Sequence, residues 1–120
     1  MKVLDSFAWI EYFRGSSKAR AIREHVEGNV PIYTPSVCLT EIKAKYLNEG
    51  RDPSERISFI MERSLIIDID SKVALAAADV KKRYGLHTVD ALVYASAQSK
   101  GVTLVTGDNH FRKLSGVEMI

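Results

Sequence analysis

The sequence predicts an α/β fold, a three-layer sandwich with a central, mostly parallel sheet flanked by helices on both faces. Two observations carry this. Short apolar runs rich in Val, Ile and Leu alternate with longer stretches whose apolar residues recur at helical spacing; such alternation demands crossover connections and a parallel sheet covered on both sides. The helical stretches also tend to open on Ser, Asp or Pro and close on Gly, the residues that start and stop helices.

Each element has a local reason. "KVLD" is an apolar run suited to a buried strand. "SFAWIEYFRG" then opens on Ser6, a natural N-cap, and ends at Gly15, a natural stop. Its spacing turns Phe7, Ile10 and either Trp9 or Phe13 toward a core. "SKARAIREHVEG" is a second helix and "VPIYT" a second strand. "PSVCLTEIKAKYLNEG" has Pro35 in its first turn and Gly50 at its end, with Val37, Leu39, Ile42, Tyr46 and Leu47 roughly on one face. "DPSERISFIMERS" uses Asp52 as cap and Pro53 just inside the helix. "LIIDI" is a strand, and "DSKVALAAADVKKRYG" an amphipathic helix whose cationic last turn suits the helix dipole. "TVDALVYASAQSKG" is the most apolar helix, "VTLVT" the last well-defined strand, and "GVEMI" a candidate edge strand.

Composition narrows the class. A chain of 120 residues, 46% hydrophobic and 27% charged, is one globular domain spanning 1–120. The net charge of +2 is too small to argue for nucleic acid by itself. Cys38 is the single cysteine, so no intrachain disulfide forms; within "SVCLTEI" it reads as a small core residue. A cysteine so placed, an N-terminus that opens as a strand rather than a signal peptide, and apolar runs too short for a membrane span lead us to expect a cytoplasmic protein.

Ligands of parallel α/β sheets bind beyond the carboxyl ends of the strands, and acids gather at those ends. Asp5 closes the first strand, and Asp108 follows "VTLVT" by two residues. Asp90 lies in the first turn of a helix with almost no polar face, so it points off the helix end. Glu41 neighbours Ile42 on a face otherwise turned inward. Each acid has an ordinary structural role open to it: Asp90 on the helix dipole, Asp108 in a turn, Asp5 in capping, Glu41 paired with Lys45. Together they repel, at about 4 kcal/mol for two unit charges about 4 Å apart at an effective dielectric near 20. A cation among them removes that cost. An oxygen-only ligand set selects a hard divalent ion such as Mg²⁺ or Mn²⁺ rather than zinc.

The frame "VLDSFAWIEYFRG", "TEI", "HTVDALVYASA" and "LVTGDNHF" resembles the PIN-domain nucleases, in particular the VapC-like toxins of bacterial and archaeal toxin-antitoxin systems. The resemblance spans essentially the whole chain and implies a PIN-like fold. Carried over residue by residue, it places the family's acidic quartet on Asp5, Glu41, Asp90 and Asp108, with Ser6 and Thr106 as supporting hydroxyls. It implies an endoribonuclease that hydrolyses RNA phosphodiesters with one or two Mg²⁺ or Mn²⁺ ions per site, a cognate antitoxin protein and a homodimer. Where Gly107 stands, the family often has a basic or other polar residue.

His87, beside a helix start, is read as a capping or solvated residue before any role at a phosphate, and His110 has the weaker claim to such a role. Arg14, Lys43, Lys45, Arg112 and Lys113 lie near the acids in sequence and suit RNA backbone, or simply a solvated surface. The alternatives are a stand-alone RNA-processing nuclease of this fold and a non-catalytic RNA- or partner-binding scaffold. A phosphoryl-accepting receiver domain fits less well, since its first strand needs paired acids and "LDSF" has one; Asp68 and Asp70 read as strand-exit and helix-cap residues. A scaffold has no need of four acids that repel phosphate.

Overall fold

The computed structural model describes all of residues 1–120. In chain order the elements are β1 (Lys2–Leu4), α1 (Ser6–Arg14), α2 (Ala19–Glu27), β2 (Ile32–Pro35), α3 (Ser36–Asn48), α4 (Ser54–Arg63), β3 (Leu65–Ile67), α5 (Ser71–Tyr84), α6 (Thr88–Lys100), β4 (Thr103–Thr106), a 3₁₀ turn (Asn109–Phe111) and β5 (Val117–Met119). The five strands form one sheet of order β3-β2-β1-β4-β5, every neighbouring pair parallel. The expected α/β sandwich is therefore present, and "GVEMI" does supply the edge strand.

Alternation along the strands divides the interior in two. Val3 and Leu104 face a core built mainly on α5 and α6, with Ala77, Val80, Ala91 and Tyr94. Leu4 and Val105, the next residue on each strand, face the opposite core of Trp9, Ile22, Ile42, Tyr46 and Ile60. Cys38 is fully buried in the first core, and burial pushes its thiol well above the usual cysteine range, the neighbouring carboxylates adding to the effect.

Several local expectations shift. The N-cap of α1 is Asp5, not Ser6: its carboxylate accepts the Ala8 N–H at 2.9 Å, which frees the Ser6 hydroxyl. Pro35 ends β2 and caps α3 instead of lying in the first helical turn. Asp52 accepts from the Ser54 N–H and hydroxyl, as a cap should, with Pro53 at the boundary. Strand "LIIDI" stops at Ile67, and Asp70 caps α5 through the Val73 N–H. Leu47, expected to face inward, is 55% exposed.

Trp9 is the aromatic that α1 buries, its indole N–H donating to Thr34 Oγ1 at 2.9 Å. Ile10 and Phe13 pack at the margin of the same core. Phe7 departs from expectation: it belongs to neither core, and its ring lies against Gly107.

Candidate active site

The order β3-β2-β1-β4-β5 has a switch point between β1 and β4. The connections through α1–α4 build outward from β1 to β3, and α5 and α6 then return the chain to β4 on the other side of β1. At such a point the connections leave the sheet toward opposite faces and open a crevice beyond the strand ends. Asp5 follows β1 into that crevice, and Thr106, Gly107 and Asp108 follow β4.

Asp5 is buried, 5% exposed. Burial raises its carboxyl pKa to about 7; hydrogen bonds from the Thr106 side chain and the Ala8 N–H oppose the rise, and the charges of Asp108 and Glu41 add to it. Thr106, fully buried, also accepts the Asp108 N–H at 3.0 Å, so one hydroxyl links two of the acids. Glu41 reaches in from α3, where the Ser6 hydroxyl donates to its Oε1 at 2.9 Å. Partial desolvation raises its pKa, the Ser6 bond opposes this, and the charges of Asp90 and Asp108 add to the rise. The pairing with Lys45 does not form, because Lys45 turns to Glu49 at 2.8 Å.

Asp90 projects from the first turn of α6. His110 Nδ1 lies 3.1 Å from Asp90 Oδ2 and 3.2 Å from Asp108 Oδ1. Ligand atoms of Asp90, Asp108 and His110 all fall within 4.8 Å of one another. Asp108 also plays the turn role open to it, accepting the His110 N–H at 2.9 Å. His87, at the N-cap of α6, makes no side-chain capping bond, and its ring stands edge-on to His110 at 5.9 Å.

His110 thus joins Asp90 and Asp108 in the candidate site, which its sequence position alone did not single out. The oxygen-only donor set acquires an imidazole at its margin. The available signal was its position two residues beyond Asp108 at the same strand end. Of the basic residues, Arg14 pairs with Glu11 and Arg112 with Asn109, while Lys43 and Lys113 are exposed.

The electrostatics fit a cation. A buried carboxyl whose pKa is pushed up to about 7, with further carboxylates raising it, is a group lacking counter-charge. Carboxylate and hydroxyl oxygens are the donors hard divalent ions take, and one imidazole is compatible with Mn²⁺.

Fold and rim define a doubly wound α/β domain with an acid-lined crevice at its switch point. The PIN domain family model matches residues 2–117, and the chain belongs to that family. No curated protein sequence matches it. Among solved structures, a toxin-antitoxin complex from Klebsiella pneumoniae superposes with a TM-score of 0.82 at 21% identity, over 99% of this chain and 97% of that one. VapC20 of Mycobacterium tuberculosis, a Sarcin-Ricin loop cleaving toxin, gives 0.79 at 16% identity over 99% and 98%. VapBC2 of Rickettsia felis, bound to a promoter DNA fragment, gives 0.75 at 18% over 99% and 98%. No helix is long and apolar enough to cross a membrane.

Proposed function

We propose that this PIN domain is a metal-dependent endoribonuclease and the toxin of a toxin-antitoxin pair. The observation that carries the reading is the gathering of Asp5, Glu41, Asp90 and Asp108 around one crevice, where the charges of Asp108 and Glu41 add to the raised pKa of Asp5 and those of Asp90 and Asp108 add to that of Glu41. Similar chains described as a toxin-antitoxin complex and as a Sarcin-Ricin loop cleaving toxin support the assignment of partner and substrate.

Asp5, Asp90 and Asp108, with Glu41 directly or through water, would hold one or two Mg²⁺ or Mn²⁺ ions. Such ions supply Lewis-acid polarisation of the phosphate and a lowered pKa for the attacking water. The chain's own groups prepare the site. Thr106 fixes Asp5 and the Asp108 backbone relative to each other, and Ser6 holds the Glu41 carboxylate. Glu41, with its raised pKa and solvent access, is suited to accept a proton from water. His110 stands between Asp90 and Asp108, within hydrogen-bond reach of both carboxylates. No protein nucleophile is required.

The test is cleavage of a mixed RNA substrate with Mg²⁺ or Mn²⁺ and with chelator, wild type against Asp90→Asn. We expect cutting that requires both the metal and Asp90. Metal-independent cutting, or full activity in Asp90→Asn, overturns the reading. The same reading expects the chain to be a homodimer by sedimentation and to co-purify with an antitoxin when the two are co-expressed.

A further inference from the structure

Between α1, α3 and α4 lies a pocket of about 240 Å³ whose wall carries Arg14, Lys45, Arg51 and Arg56. Two acids answer these four cations: Glu11 holds Arg14 at 3.3 Å, and Glu49 is shared by Lys45 at 2.8 Å and Arg51 at 3.8 Å. Arg56 has no acidic partner and no side-chain hydrogen bond. Its guanidinium lies over Tyr46 at 4.9 Å and Phe13 at 5.4 Å, and Arg51 lies over Tyr46 at 5.3 Å. Stacking occupies guanidinium faces and leaves the N–H donors on the edges free, the arrangement that receives a phosphate.

The pocket's place matters as much as its charge. The Ser6–Glu41 hydrogen bond joins α1 to α3 at the crevice. Lys45 is one turn beyond Glu41, about 6 Å along α3, and Arg14 is two turns beyond Ser6, about 12 Å along α1. The same pair of helices therefore leads from the acids to the cations. Four carboxylates repel a polyanion, so a strand that reaches them must draw its affinity from positive charge close by.

We propose that this pocket is a backbone-phosphate subsite for the RNA strand, binding a phosphodiester that flanks the scissile one. Arg51 and Arg56 donate edge N–H groups to it, and Arg14 and Lys45 add charge. The inference rests on the ribonuclease reading above and adds where the strand runs once it leaves the acids.

The test measures binding, not cleavage. In an Asp90→Asn background with Mg²⁺ present, a fluorescein-labelled single-stranded RNA is titrated by anisotropy at several salt concentrations. Adding Arg51→Gln and Arg56→Gln should weaken binding about tenfold or more and flatten the salt dependence by about 0.7 in log–log slope for each lost contact. Arg56→Lys should keep the slope and lose part of the affinity, because the charge stays and the stacked fork goes. Thermal unfolding of each variant checks the fold. If Arg56→Gln loosens Phe13 and Tyr46, the exposed Arg51→Gln alone still reads half the slope change. Unchanged affinity and slope overturn the subsite while leaving the nuclease assignment in place. Weakened binding of an acidic peptide with RNA binding intact reassigns the pocket to a protein partner. A parent protein that neither binds RNA nor, as wild type, cuts it overturns both readings.

Discussion

Phe7 and Gly107 share one volume at the edge of the crevice. A Cβ built on Gly107 would lie 2.1 Å from Phe7 Cε1 and 2.6 Å from Cδ1, so the ring stands where a side chain at 107 would be. The glycine is there for space and not for a left-handed backbone, since its φ is not positive. Lys18 Nζ approaches the same ring at 5.3 Å from its centroid. Because Gly107 lies between Thr106 and Asp108, pressure on it is transmitted to the candidate site. Gly107→Ala should cost about 1–3 kcal/mol, the usual range for overpacking, and lower cleavage by displacing Asp108. In a Phe7→Ala background the same substitution should cost little. Thermal unfolding of the four proteins in this cycle checks the coupling; equal costs in both backgrounds would show that the ring is not the obstacle.

At the scale of elements, α2 is the helix with the weakest local definition. Lys18 at its N-cap makes no side-chain capping bond, and Gly28 at its end is extended, whereas α1, α5 and α6 each close on a left-handed glycine. Its last carbonyls are satisfied from another helix. Arg63, at the end of α4, donates to the backbone oxygens of His25, Val26, Gly28 and Val30. A guanidinium there also opposes the negative end of the α2 dipole. Arg63→Met keeps the aliphatic stem and removes the donors, and should cost about 1.5–3 kcal/mol, the value of hydrogen bonds to a charged group. Denaturant unfolding measures this; a change under about 0.5 kcal/mol, as at an unremarkable surface site, would mean that water satisfies those carbonyls equally well.

The whole molecule carries the consequence of burying Asp5. Its carboxyl titrates near 3.8 in an ordinary setting and near 7 in the fold, so between those values the folded protein holds a proton that the unfolded chain has released. Stability of the metal-free protein is therefore full below about pH 4 and falls as pH rises through about 7, by up to about 4 kcal/mol at 1.36 kcal/mol per pKa unit. Glu41 adds in the same direction. Asp5→Asn keeps the cap on α1 without the titration, since Asn caps as well as Asp, and should flatten the pH dependence and stabilise the metal-free protein at pH 8. Saturating Mg²⁺ or Mn²⁺ should raise the wild-type unfolding midpoint more at pH 8 than at pH 5.5, because ion and proton compete for one carboxylate. A wild type whose stability is the same at pH 5 and pH 8 without metal would contradict the burial argument.

The order of strands and helices, their stops and most of their caps follow from the sequence by itself, because a glycine stop, an Asp cap or an apolar run acts within a few residues of where it is written. Asp5, Asp90 and Asp108 were legible for the same reason, each standing at the end of a local element. Glu41 was legible only as a carboxylate misplaced on an inward face. Tertiary structure decided the rest: that β4 lies beside β1, that Ser6 gives its hydroxyl to Glu41 once Asp5 takes over the cap, that His110 stands between Asp90 and Asp108, and that Phe7 fills the space over Gly107. Each of these joins residues whose meeting depends on strand order or on side-chain volume, and neither leaves a periodic mark along the chain.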